Sequence, residues 1–420
     1  MKTSRIGLGL LALTVGLLWV GSSSRPQAFH SGGVAECSGC HSMHSPKAGG
    51  SFLLIGTDQS STCLTCHLHA GDTGPSSYHV ATADADMPTG VAPKQRTPGG
   101  DFGWLRKDYS FTIRGATTNE EGSSHGHNIV AVDMGYTADA DNTTAPGGTF
   151  SSAQLGCQSC HDPHPAVRRT STGLVQGQIV GQATAPIIAS GSYNNSPTPG
   201  AGEAVGTYRL LRGGTYGGVT FSGFPIAVAP STYNQSEATN QVRVAYGAEG
   251  TNTWGNWCAS CHPNMHSSGS YVHPTDQSLG SDIANVYNAY VKSGDLTGSA
   301  ATSYTSLVPF AENTGDLTTL KAHAKNDNSY RNGPSSSDKV MCLTCHRAHA
   351  TGFPEMLRWS MVGEFIIYTG QFPGTDTTPT APQFARGRLG AETQAAYYDR
   401  PVTQFASYQR ALCNKCHAQD

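Results

Sequence analysis

All 12 cysteines of this 420-residue chain fall in Cys-x-x-Cys pairs followed at once by histidine. The six motifs are Cys37, Cys40 and His41; Cys63, Cys66 and His67; Cys157, Cys160 and His161; Cys258, Cys261 and His262; Cys342, Cys345 and His346; and Cys413, Cys416 and His417. Two thiols at this spacing form thioether bonds to the vinyl groups of a haem, and the adjacent histidine binds iron as the proximal ligand. A disulfide suits an exported chain and structural zinc suits paired cysteines, yet neither explains the histidine. A disulfide needs none, and a histidine abutting the second cysteine is poorly placed for the same tetrahedral zinc. The motifs therefore predict six covalently attached haem c groups.

Each iron needs a sixth ligand, and 17 histidines in all leave 11 beyond the proximal set. Methionine is the rival ligand but recurs at no fixed offset from a motif, whereas histidine does. The first, third and fifth motifs read CSGCHSMH, CQSCHDPH and CLTCHRAH, which adds His44, His164 and His349. Each is also preceded by a histidine, His30, His127 or His323, and followed by a plain motif. The chain thus parses as three copies of one unit, each supplying two haems and two distal ligands.

A histidine three residues past the proximal one cannot easily wrap to the opposite face of the same haem. It is expected to serve the odd haem of the preceding unit, so His164 goes to the first haem and His349 to the third. His44 then has no preceding unit, and the fifth haem has no donor. Either His44 reaches the fifth haem of a neighbouring copy, a head-to-tail contact that repeats into a filament, or it binds within its own chain and leaves a monomer. His30, His127 and His323 are expected to cap the second, fourth and sixth haems. His69, His79, His266 and His273 are the alternatives for any of these six, with hydrogen bonding to propionates or backbone as their other use. His125 is the weaker neighbour of His127.

These ligands need a scaffold, and composition limits what it is. With 50 glycines, 23 prolines and 37% hydrophobic residues, the chain is rich in turns and poor in apolar faces, so haems must supply apolar mass. The expected fold is a multihaem cytochrome of mostly irregular loops, with short α-helices and few short β-strands wrapped around a haem chain. Helical pattern is predicted after Ser281, through Ile283, Val286, Tyr287 and Tyr290 to a stop at Gly294; around Leu317, Leu320 and Ala324; and along Phe405, Tyr408 and Leu412. Tyrosines and tryptophans read as packing against porphyrin edges rather than as relays. Arg168, Arg169, Arg347 and Arg410 lie close to motifs and are candidates for propionate pairing or for plain exposure.

Residues 1–28, with Lys2 and Arg5 before the apolar run from Ile6 to Val20, read as a secretory signal peptide. Residues 29–420 then form a single hexahaem domain of three two-haem units, roughly 29–110, 111–280 and 281–420. No later apolar stretch is long enough to span a membrane. A net charge of -3 without a basic cluster does not indicate nucleic acid as a partner, and 13% charged residues leave self-association open.

The motifs, read with FHSGGVAEC from Phe29, HAGDTGPSSYH from His69, TPGGDFGW from Thr97, GHNIVA from Gly126, TAPGGT from Thr144, VAPSTYN from Val228 and YQRALCNKCH from Tyr408, resemble the filament-forming outer-surface hexahaem cytochromes of metal-reducing bacteria. The resemblance covers essentially the whole chain after the signal peptide. It implies secretion beyond the outer membrane, polymerisation with a continuous haem stack, and electron delivery to other redox cytochromes and to extracellular acceptors such as metal oxides or partner cells. It also implies that the histidine of the first CHxMH segment, here His44, crosses to a haem of the adjacent subunit. His125 lies outside the shared GHN segment, and the long loops differ, which bears on the filament surface.

The leading expectation is an electron conduit of six-coordinate haems. The runner-up is a monomeric periplasmic shuttle. A multihaem nitrite or hydroxylamine reductase needs an open iron position, and no motif replaces the proximal histidine by lysine; Lys415 lies between its cysteines.

Overall fold

In a computed structural model the described residues are 30, 37–47, 52–69, 78–176, 185, 187–267, 273–377 and 382–417; the expected signal peptide lies outside them. Glycine and proline interrupt the chain too often for long elements. Among the described residues the longest helix is Gly280–Ala289 and the longest strands are Tyr109–Ile113 and Ala116–Glu120. The largest sheet has four short strands, in the order Gly173–Gln176, Val167–Thr170, Ala204–Gly206 and Ile187–Ala189. It occupies the interval after Pro165 that carries neither cysteine nor histidine. Among the described residues no helix is long and apolar enough to cross a membrane.

Apolar packing is divided among small clusters rather than gathered in one core. One holds Trp104, Tyr287, Phe310, Trp359 and Tyr397, with Cys345, Cys413 and Cys416 at its margin. A second holds Tyr246, Trp254 and Trp257, with Cys160, Cys258 and Cys261 at its margin. The clusters end where the motifs begin, as expected if haems complete them.

Two of the predicted helices are present. Gly280–Ala289 buries Ala284 and Tyr287, and Gly294 follows it with φ +77°. Its cap is Leu279 rather than Ser281, and no side-chain bond is made there. Leu317–His323 buries Leu320 and starts at Asp316, whose carboxylate accepts from Thr318 N and Thr319 N.

The helix expected along Phe405, Tyr408 and Leu412 does not form. Tyr408 takes φ +66°, which an α-helix cannot accommodate. Its N–H donates to Ile367 O, and Ile366 N donates to Gln409 O, so the segment is tied sideways to 366–367. Helix resumes only at Asn414–His417.

Candidate haem sites

Each motif is built as one tight helical turn. Cysteines three apart fall on one side of such a turn. The histidine closes it, its N–H donating to the carbonyl of the first cysteine: His41 to Cys37, His161 to Cys157, His262 to Cys258, His346 to Cys342 and His417 to Cys413, at 2.8–3.1 Å. All 12 thiols are free of disulfide bonds.

The proximal rings are oriented by carbonyls. Nδ1–H donates to Phe52 O from His41 (2.7 Å), to Tyr78 O from His67 (2.9 Å), to Arg209 O from His161 (2.6 Å), to Pro146 O from His262 (2.9 Å) and to Glu355 O from His346 (2.7 Å). A proton held on Nδ1 leaves the Nε2 lone pair free for a metal, the usual outer-shell arrangement of histidine ligands. Burial lowers the pKa of His161 to about 4, and that of His349 to about 3, so both rings stay in the neutral form that ligation requires.

At the first, third and fifth motifs the cradle repeats atom for atom. The proximal histidine forms an antiparallel bridge with Leu54, Leu211 or Leu357. The residue after that leucine, Ile55, Arg212 or Arg358, donates its N–H to the carbonyl of the second cysteine at 2.8–3.0 Å. The residue after the histidine, Ser42, Asp162 or Arg347, donates to Leu53 O, Leu210 O or Met356 O. This shared geometry was not legible in the sequence, because the leucine lies at a different distance from the histidine each time.

Five proximal rings face a second imidazole. Ring centroids are 6.1 Å apart for His41 and His164, 5.9 Å for His67 and His30, 6.3 Å for His161 and His349, 6.2 Å for His262 and His127, and 6.3 Å for His417 and His273. Two metal–imidazole bonds of about 2 Å each, with the ring radii added, also come to about 6 Å. Direct ring stacking is much closer: His323 lies 3.9 Å from Tyr330. The five pairs therefore fit an iron between the rings.

His323, expected as the distal ligand of the sixth site, is placed away from His417 in this structure. Its Nδ1 meets Glu312 Oε2 at 2.6 Å, and its ring stacks on Tyr330. His273, among the alternatives, stands opposite His417 instead. His266 pairs with Asp276 at 3.1 Å, and His79 is buried beside Tyr78. His125 is fully buried between Trp104 O and Glu120. The side chain of His69 lies outside the described residues.

Two groups are left over. His346 faces no imidazole among the described residues. His44 is exposed and faces none either, beside Met43 and Phe52, apolar side chains that are 80% and 63% exposed.

The motifs lie in chain order. Electrostatic proximity links Cys40 with Cys63 and Cys66, Cys160 with Cys261, and Cys345 with Cys416 and Cys413. Cys63 likewise lies beside Cys157, and Cys258 beside Cys342. Each motif thus neighbours the next, from first to sixth.

Backbone contacts fix the distal rings of neighbouring sites to one another. His349 N donates to Gly99 O (2.7 Å), His127 N to His349 O (2.9 Å), and His127 Nδ1 to Ala348 O (2.7 Å). A Cβ on Gly100, which has φ +98°, would lie 1.8 Å from Ala350 O, so only glycine fits there.

Of the arginines near motifs, Arg347 is buried with Nη2 unpaired, and Arg169 is buried with Nε unpaired. Arg168 donates to Pro165 O and Ala185 O. Arg410 is exposed and lies 3.7 Å from Glu364. Lys415 donates to Tyr290 O at 2.6 Å and is thereby occupied.

No family model matches the chain. The C-type cytochrome OmcS of Geobacter sulfurreducens is 51% identical over 421 aligned positions, covering 94% of each chain. Two solved structures are similar over 93% of this chain and 100% of theirs: the cryo-EM structure of OmcS nanowires from Geobacter sulfurreducens, at 49% identity and TM-score 0.83, and the outer membrane cytochrome S filament from the same organism, at 48% and 0.84. The chain belongs to the OmcS family of c-type cytochromes.

Proposed function

We propose that this chain carries six haem c groups in a row and polymerises head to tail on the outer cell surface into a filament that conducts electrons to extracellular acceptors. Each haem, when bound, supplies an iron that cycles between ferric and ferrous states. The cysteines of the six motifs anchor the groups by thioethers, and His41, His67, His161, His262, His346 and His417 are the proximal ligands. His164, His30, His349, His127 and His273 are the distal ligands of the first, second, third, fourth and sixth sites. With both axial positions filled by rings that the backbone holds in orientation, there is no vacancy for a substrate and little change of shape on electron transfer. That favours conduction over reductase chemistry.

The observation that carries the polymer reading is the complementary pair of unused imidazoles. Among the described residues His346 faces no partner ring, and His44 stands exposed among apolar side chains at the opposite end of the motif row. His44 of one copy ligates the fifth iron of the next, which joins the rows end to end and gives a heterologous contact that does not close. In this reading the unit division shifts, because the sixth site takes its distal ligand from residue 273, before the expected boundary at 280. The relatives solved as filaments support the polymer.

Replacing His44 by alanine tests it. The variant is expected to retain six covalent haems, with one turned high-spin, and to yield no long filaments by electron microscopy. Normal filaments from that variant would sink the reading.

A further inference from the structure

Four aromatic side chains lie together outside the buried apolar clusters. Tyr368 stacks on Phe384 at 4.3 Å, and Tyr408 meets it edge-on at 5.2 Å. Phe365 completes the group, 5.3 Å from Phe384 and 5.6 Å from Tyr408. None of the four is buried: Tyr408 is 51% exposed, the other three are half-buried, and Met361 and Val362, just ahead of them in the chain, are exposed. Arg410 borders this ledge, over Phe365 at 5.1 Å and 3.7 Å from Glu364. An apolar centre with a charged rim is the build of a protein interface, and a contiguous exposed apolar patch marks one.

The backbone holds the ledge open. Ile366 and Ile367, between Phe365 and Tyr368, are both buried in the core, so the segment anchors inward while its aromatic rings stay outside. Tyr408 takes φ +66°, a conformation disfavoured for a bulky side chain, and its N–H donates to Ile367 O at 2.8 Å.

The ledge also lies close to the open fifth site. Leu357 bridges His346, Arg358 Nε donates to His346 O at 3.0 Å, and Val362 comes four residues after Arg358, a reach of no more than about 14 Å. At the other end of the motif row, Met43 adjoins His44, and Phe52 O accepts from His41. These two are the most exposed large apolar side chains among the described residues. A copy whose His44 reaches the iron held by His346 therefore brings Met43 and Phe52 up to the ledge. A lone imidazole–iron bond covers too little surface to join two copies, since stable contacts bury on the order of 1,000 Å² or more. Apolar packing around such a bond keeps water from competing for it.

We propose that the ledge of Phe365, Tyr368, Phe384 and Tyr408 seats Met43 and Phe52 of the next copy, forming an apolar collar around the His44–iron contact. This seat presupposes the polymer proposed above. Two kinds of contact then share each joint: the iron bond fixes its geometry, and the apolar seat provides buried area that holds it shut.

The test is charge placed on either side of the seat in the haem-loaded full chain. Tyr408→Asp suits the left-handed backbone, which aspartate adopts more readily than tyrosine, and Phe52→Lys leaves in place the carbonyl that orients His41. Each variant alone is expected to load six haems but to give about tenfold fewer filaments or less by electron microscopy, because a charge is buried unpaired. Each should also show one high-spin haem, the fifth iron having lost its ligand from the next copy. Combining Phe52→Lys with Tyr408→Asp sets opposite charges across every joint and is expected to restore both the filaments and the low-spin spectrum. Normal filaments from either single variant overturn the proposal and leave the ledge to a partner other than this chain. A loss that the combined variant fails to restore also overturns it. If Tyr408→Asp does not load six haems, Phe52→Lys alone decides. Failure of the polymer reading is separately visible, as discrete particles with six low-spin haems from the unmodified protein.

Discussion

His273 and His417 face each other with ring centroids 6.3 Å apart and planes inclined at 58°. His323, whose place before the fifth motif matches that of His127 before the third, instead gives Nδ1 to Glu312 and stacks on Tyr330. His273→Ala is expected to convert one of the six haems to a high-spin, ligand-accessible state, whereas His323→Ala leaves all six low-spin. Absorption and resonance Raman spectra of the two variants, with and without cyanide, separate these outcomes. A high-spin haem in His323→Ala alone would restore the sequence-based assignment.

Gly100 underlies two sites at once. Any Cβ there meets Ala350 O, and the 348–350 backbone carries His349 and accepts from His127. Gly100→Ala is therefore expected to loosen distal ligation at the third and fourth haems together and to destabilise the protein by about 2 kcal/mol or more, through strain and a displaced 348–350 segment. Two haems with altered ligation, against none, is the result to look for by magnetic circular dichroism.

Glu120 is buried and accepts from His125 Nε2, Arg386 and Arg388. Burial alone would raise its pKa, but these donors together lower it from 4.5 to about 2. The folded value lies below the unfolded one, so the stability it confers is fully present above pH 4.5 and is lost as pH falls towards 2. The shift corresponds to about 3 kcal/mol. Glu120→Gln leaves two arginines without their carboxylate and is expected to cost about 3 kcal/mol at neutral pH, while flattening the pH dependence of thermal unfolding over that acid range. An unchanged slope would show that other carboxylates carry the acid transition.

Asp316 caps the Leu317–His323 helix through Thr318 N and Thr319 N at 3.1 Å. Asp316→Ala is expected to cost about 1 kcal/mol without changing any haem spectrum, since no proposed ligand rides on that helix. A spectral change in this variant would reconnect His323 to an iron.

The sequence makes the six attachment points legible because the thioether chemistry demands adjacent residues. The CxxCHxxH recurrence likewise points to His164 and His349, which face His41 and His161. That His273 rather than His323 stands opposite His417 was not legible. His273 sits at no repeated offset, and only the fold brings it against the last motif. The equivalent cradles around Leu54, Leu211 and Leu357 escaped for the same reason. Fold class followed from glycine, proline and scarce apolar residues, and two helices followed from periodicity. The third failed at Tyr408, where a left-handed backbone and pairing with Ile366 and Ile367 override an apolar spacing of three and four.

Cryo-electron microscopy of material sheared from the cell surface tests the central claim most directly. The expected result is a filament in which the haem row continues through every subunit boundary, with His44 of one copy bound to the iron held by His346 of the next. Discrete particles whose six irons are all satisfied by histidines of one chain would contradict it.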